Sequence, residues 1–280
     1  MVEAGAGRRR AGAAPSARSL LLTVLGEFVL PHGEPAWTGA LVAALAEAGI
    51  EEKAARQALS RTAGEGLLVA EREGRRVRWQ LTPSGTDLLA QGTERIYGFG
   101  NGLENWDGRW LVLTVSVPET QRRLRHSLRT RLTWAGLGSP APGLWVTPDV
   151  SKAKEVAAVV SSLGVEAFSF TGPFGAVGDQ SRVVAAAWRL DEVERSYARF
   201  LKAFSSNKIG TRAQAFSSQL SLVQQWRGLP FLDPGLPAEL LPDTWPGPAA
   251  ATLFHRRHER WHRSAQAHWG ALMKAAEQRV

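Results

Sequence analysis

The chain contains no cysteine, which excludes disulfides, a thiol nucleophile and cysteine-ligated metal, and which fits a reducing cytoplasm as the expected location. It also lacks any apolar run long enough to cross a bilayer, so no membrane partner is expected. Arg8 to Arg10 followed by Leu20 to Leu30 superficially resembles a signal peptide, but Glu27 interrupts the apolar run and no small-residue cleavage site follows it. No internal repeat, Ser-His-Asp constellation or phosphate-binding glycine loop stands out, and His32 and His126 read as surface residues rather than catalysts. Acidic side chains are in deficit, with 26 Asp and Glu against 34 Lys and Arg. The resulting charge of +8 and pI near 10.5 favour an anionic partner such as DNA, RNA or acidic lipid without selecting among them. What is present is globular: 280 residues, 44% of them hydrophobic and eleven of them Trp, enough for two or three domains with their own cores.

The most informative stretch is 51–82. Over Glu51 to Ala63 helical spacing sets Ala55, Leu59 and Thr62 on one face and Lys53, Gln57, Ser60 and Arg61 on the other, with Arg56 on the flank. After Gly64 and Gly66 the period changes. Leu67 to Arg72 is extended, Glu73-Gly74 reads as a turn, and Arg76 to Leu81 alternates, with Val77, Trp79 and Leu81 inward and Arg76, Arg78 and Gln80 outward. A helix with a basic polar face leading into a basic hairpin has the layout of a winged helix-turn-helix, the helix in the major groove and the wing on the phosphates. Between Lys53 and Arg78 there are seven basic residues against three acidic. The candidate base readers are therefore Gln57, Ser60 and Arg61, and the candidate phosphate contacts are Lys53, Arg56, Arg75, Arg76 and Arg78.

Upstream, Ser16 or Ser19 caps a helix bearing Leu21, Leu22, Leu25 and Phe28, which Pro31-His32-Gly33 ends; a second helix over Thr38 to Ala48 stops at Gly49. Thr82-Pro83-Ser84-Gly85 opens a fourth helix that either packs beneath the wing or leads to the next domain. Trp110 to Val117 reads as a buried strand, Glu119 to Trp134 as an arginine-rich helix, Leu144 to Thr147 as a strand, Ser151 to Leu163 as a helix and Val165 to Thr171 as a strand, with a further short strand near Leu137. Gly172 to Gly175 reads as a loop. Helices then cover Leu190 to Phe204, Thr211 to Arg227 and Ala249 to Gln278, separated by a proline-rich stretch from Leu229 to Gly247. The expected architecture is α+β and multidomain. A disordered basic tail occupies 1–17, a winged-helix DNA-binding domain 18–100, a central ferredoxin-like domain 101–180, and a mostly helical C-terminal domain 181–280.

One enzyme motif has to be weighed. His258-Glu259-Arg260-Trp261-His262 matches the zincin pattern, in which two His four apart on a helix share a zinc ion, and His268 stands at the spacing of a third ligand. Ala265 replaces the glycine that would turn the chain back, however, and on a continuous helix His268 lies roughly 80 to 120° around the axis. A packing face formed by Phe254, His258, Trp261, Ala265, His268 and Leu272, with Arg256, Arg257, Arg260 and Arg263 solvated or pairing with anions, explains the same residues. No catalytic or metal site is therefore expected, and a zinc metallopeptidase is the alternative reading.

The sequence also resembles the PaaX family, bacterial repressors of phenylacetic acid catabolism. The resemblance lies in Arg56, Ser60 and Arg61, in Glu71-Arg72-Glu73-Gly74-Arg75-Arg76, in Leu81 to Gly85, in Trp106-Asp107 to Arg109-Trp110 and in Gly143 to Val146. It is most specific in Trp226-Arg227, Asp233 to Pro242 and Trp245-Pro246-Gly247. It implies a cytoplasmic homodimeric transcriptional repressor on double-stranded operator DNA, with a Cas2-like central domain, no cofactor, and release by phenylacetyl-CoA or another acyl-CoA. Trp226 and Arg227 are candidate ligand contacts, or else they anchor the proline-rich loop. Gln224 departs from the His usual in the family. Val115-Ser116-Val117-Pro118 lacks the metal-binding Asp that a Cas2 nuclease would carry there.

Overall fold

The Ser16 side chain accepts the Ser19 N–H and so caps the first helix, α1 (Ala17–Val24). The structure is a computed structural model that describes residues 15–100, 105–206 and 209–278. Of the expected tail, 1–14 lie outside the described residues, while Ala17 already belongs to α1. The helix continues into a π-turn over Leu25–Val29, a widened turn that periodicity did not signal. Next come β1 (Ala36–Trp37), α2 (Thr38–Ala46), α3 (Glu52–Gly64), β2 (Leu68–Glu73), β3 (Arg76–Leu81) and α4 (Pro83–Tyr97). The three strands form an antiparallel sheet in the order β1-β3-β2. Glu73 pairs with Arg76, so the hairpin turns at Gly74-Arg75 and not at Glu73-Gly74. The φ of 63° at Gly74 explains the shift: a two-residue turn whose first central position has positive φ favours glycine there. At the base of the hairpin Thr82 donates its N–H to the Leu67 carbonyl and accepts the Gly85 N–H. A side chain on Gly85 would collide with that same carbonyl, which fixes α4 beneath the wing.

The following segment builds a second sheet from β4 (Arg109–Val115), α5 (Arg122–Trp134), β5 (Gly138–Ala141), β6 (Leu144–Thr147), α6 (Ala153–Leu163) and β7 (Ala167–Pro173). The strand order β5-β6-β4-β7, all antiparallel, is the ferredoxin-like arrangement. Leu111, Leu113 and Val115 pack on Leu128, Leu132 and Val156 of the two helices. On the other face Trp110 and Val146 meet Val184 of α7 (Gln180–Ala187), a helix that the sequence reading had not separated from its surroundings, together with Leu236. β7 reaches Pro173 rather than yielding to a loop at Gly172. Proline is tolerated there because β7 is an edge strand and needs no donor on its free side.

α8 (Leu190–Phe204) and α9 (Arg212–Trp226) follow, then short 3₁₀ turns at Leu229–Phe231 and Ala238–Leu240, and finally α10 (Gly247–Gln278). The chain divides into two compact units. The first takes the described residues up to Arg95, those of 208–225 and those from Arg256 onward; the second takes the rest. The stretch expected as one C-terminal helical domain thus contributes to both. In the first unit Phe216, Leu220, Ala265 and Trp269 join Leu21, Leu25, Phe28, Leu41 and Leu59 in one core. The buried Glu27 accepts from Gln219 Nε2 at 2.9 Å and pairs with His258 Nε2 at 2.9 Å. Gln224 also serves this core, accepting from Thr23 at 2.7 Å and donating to Ser19 at 2.8 Å. Arg257, expected in solvent or paired with an anion, is buried with its guanidinium over Trp261 at 5.8 Å. In the second unit Trp226 stacks on Phe254 at 4.7 Å and meets Phe200 at 5.2 Å.

Candidate nucleic-acid interface

On α3 the buried residues are Ala55, Ala58, Leu59 and Thr62, all held against the core of the first unit. Thr62 uses its hydroxyl internally, donating to the Ala58 carbonyl at 2.8 Å. The remaining face presents Lys53, Gln57, Ser60 and Arg61, all exposed. With Glu52 and Arg56, three of these residues (Lys53, Gln57 and Ser60) line a shallow open depression. Arg56 pairs with Glu52 at 2.8 Å, one turn away. Exposed pairs of that spacing contribute only about 0.3–0.5 kcal/mol, so Arg56 exchanges its partner readily. Lys53 and Arg61 have no ion-pair partner among the described residues.

The wing separates its arginines into two groups. Arg75 sits exposed at the turn and Arg72 is exposed on β2, both without an ion pair among the described residues. Arg78 lies 3.0 Å from Glu73 and 3.9 Å from Glu71. Arg76 lies 3.6 Å from Glu73 and donates to the carbonyl of Glu277 near the end of α10. Both guanidiniums also rest over Trp37, at 4.5 and 5.1 Å from its ring centroid. Sequence reasoning missed Trp37 because a two-residue strand carries no periodicity; the aromatic residue just ahead of the Thr38 helix start was the only signal.

The ligand candidates lie elsewhere, in the second unit. Trp226 is 0% exposed, and its indole N–H donates to the Ile96 carbonyl at 2.9 Å. That is the geometry of an anchor, with no face of the ring open to solution. Arg227 is half-buried beside it.

Two of the three histidines of the zincin-like segment are paired with carboxylates. His258 pairs with Glu27, His268 accepts or donates at 2.6 Å with Glu47, and His262 is exposed with its ring 5.4 Å from that of His258. Partial desolvation of the ring, followed by the neighbouring His258, lowers the pKa of His262, with His32 acting in the same sense and Glu27 opposing. All three stand on the continuous α10. Among the described residues no group of three His, Cys, Asp or Glu could hold a metal ion.

Comparison with known proteins gives a consistent pattern. Three family models match in chain order: PaaX-like protein over residues 16–85, the PaaX protein central Cas2-like domain over 103–184, and the PaaX-like protein C-terminal domain over 188–271. The transcriptional repressor PaaX of Escherichia coli (strain K12) is 29% identical over 259 residues, which span 88% of this chain and 80% of that protein. The solved structure of the uncharacterized protein Rv0674 from Mycobacterium tuberculosis is similar with a TM-score of 0.62 and 25% identity, covering 90% of this chain and 98% of the other.

Proposed function

The chain belongs to the PaaX family of transcriptional regulators, and from that premise we propose that it is a repressor of a phenylacetate-type catabolic operon, held on its operator by α3 and the wing and released by an acyl-CoA. The observation that carries the DNA contact is the exposed face of α3, which presents Lys53, Gln57, Ser60 and Arg61 together, with Arg75 exposed at the turn of the wing. Gln57, Ser60 and Arg61 have the donors and acceptors to read base edges in the major groove. Lys53, Arg56 and Arg75 supply charge for phosphates, and Arg76 and Arg78 add to the local positive field. The repressor acts as a homodimer, each copy reading one half-site, with half-sites about 34 Å apart or a multiple of that along the duplex.

The effector is phenylacetyl-CoA or a related thioester. Its support is the family resemblance around Trp226 and Arg227, with Trp226 shaping the site from within the aromatic cluster and Arg227 the residue able to meet an anionic group. The first test is binding of the purified protein to a fragment of its own promoter, titrated across salt, with and without phenylacetyl-CoA. Sequence-specific binding that the thioester abolishes supports repressor and effector together. Specific binding indifferent to the thioester would retain the DNA contact and reject this ligand, and an absence of sequence preference at any salt would reject the operator reading itself.

A further inference from the structure

A hairpin is marginal by itself in water and needs a third strand or a packed face to hold its position. The third strand here is β1, with only two residue pairs to β3, Ala36 with Trp79 and Trp37 with Arg78. What that strand lacks in length its side chains supply. Opposed residues of an antiparallel pair share a face, as do alternate residues along a strand. Trp37, Arg78 and Arg76 therefore lie on one side of the sheet, and both guanidiniums lie over the indole, within the ~6 Å over which a cation is drawn to an aromatic face. Trp37 itself belongs to the core of the first unit and is only 6% exposed, so the ring that the two arginines lie over is a fixed one. On the opposite side of the strand the Thr38 hydroxyl accepts from Trp79 Nε1 at 2.8 Å and donates to the Val77 carbonyl at 2.9 Å.

The remaining contacts of these arginines are also made within the protein. Arg78 Nε is buried without a hydrogen-bond partner among the described residues, and its guanidinium is held by the ring and by Glu71 and Glu73. Arg76 is shared between Glu73 and the main-chain carbonyl of Glu277. To reach a phosphate, either arginine would have to leave the ring and a carboxylate together. Arg75 has neither commitment and stands at the turn.

We propose that Trp37 is the positioning residue of the wing: Arg76 and Arg78 brace the hairpin on its ring, and the wing's phosphate contact is made by Arg75. The proposal deepens the DNA-binding reading above and rests on it only for the phosphate assignment.

The test uses the full-length protein and two readouts. One is affinity for long mixed-sequence duplex DNA across a salt series. The other is amide hydrogen exchange over 68–81 without DNA. Arg75→Ala lowers the slope of log affinity against log salt by about 0.9, the value of one phosphate contact, and leaves hairpin exchange unchanged. Arg76→Ala, Arg78→Ala and Trp37→Leu speed exchange over 68–81 and weaken DNA binding about two- to fivefold at an unchanged slope. Trp37→Phe, which keeps an aromatic face, recovers most of the protection.

A slope reduced by about one unit in Arg76→Ala or Arg78→Ala, with exchange unaltered, would overturn the proposal and make those residues phosphate ligands. Unaltered exchange in Trp37→Leu would overturn the brace. Should Trp37→Leu fail to fold, the two arginine variants and Trp37→Phe decide the same question. If the wild-type protein binds no duplex even at low salt, the DNA reading falls, while the exchange measurements still uphold or reject the brace.

Discussion

Asp233 shows how one half-buried carboxyl shapes the second unit. It accepts the Tyr197 O–H at 2.6 Å and the Gly235 N–H at 2.7 Å, and so ties α8 to the proline-rich stretch. Burial raises its pKa, partly offset by these two hydrogen bonds. The same burial, together with the charge of Asp233, holds the Tyr197 phenol well above its ordinary value of 10.0, so Tyr197 stays a donor. With its folded pKa raised, Asp233 holds its proton more tightly in the folded chain than in the unfolded one. Its stabilising contribution is complete below the unfolded value of 3.8 and is lost as pH rises through the folded value. Asp233→Asn keeps an oxygen for Tyr197 and removes the charge. Urea unfolding of wild type and variant at a series of pH values should show the variant losing less stability as pH rises from the acid side toward neutrality. An identical pH profile in the two proteins would mean that Asp233 titrates alike folded and unfolded.

At the scale of elements, α3 is the case in which local sequence and function coincide. Its buried face is made of small residues and one leucine, which lets the helix lie close on its support, while its polar face has no structural duty. Arg61→Ala is therefore expected to leave stability almost untouched, since its side chain is exposed and in no ion pair among the described residues, and such a substitution shifts stability by roughly 0.5 kcal/mol or less. Specific operator binding should fall by about 1–3 kcal/mol while nonspecific binding barely changes. Competition between operator and mixed-sequence DNA measures the difference, and equal losses on both would take Arg61 out of the base-reading set. The contrast with α1 is instructive. Its π-turn aims Glu27 inward to meet His258 and Gln219 from two distant helices, a constraint that no local pattern announces.

For the whole molecule, the proposed homodimer needs a self-complementary surface, and β7 offers one. It is an edge strand whose Phe168 and Phe170 are 69% and 66% exposed, within a stretch, Ala167 to Gly178, that has no charged residue. An uncharged strip placed against its own copy around a two-fold axis meets no like-charge repulsion. Edge strands that are meant to stay unpaired usually carry charge. The double substitution Phe168→Ser and Phe170→Ser should shift the protein toward monomer in sedimentation equilibrium and weaken binding to a two-half-site operator more than to a single half-site. A dimer undisturbed by that change would move the interface off β7.

The sequence by itself determined most of the elements, though not β1, the π-turn or α7. Periodicity and capping residues placed α3, the wing strands, the ferredoxin-like order and the final helix to within a few residues, because those signals arise from neighbours along the chain. It also determined which residues of α3 face solution, since a helix repeats every 3.6 residues. Tertiary structure alone decided what the wing arginines do. Arg75, Arg76 and Arg78 look alike in sequence, yet Trp37 from another strand and the Glu277 carbonyl from the other end of the chain commit two of them and leave the third exposed. It decided likewise that His258 serves Glu27 and that Trp226 is an interior anchor. Charge and aromatic character are fixed residue by residue, but whether they are used in the core or at the surface depends on partners tens to hundreds of positions away, which local spacing cannot encode.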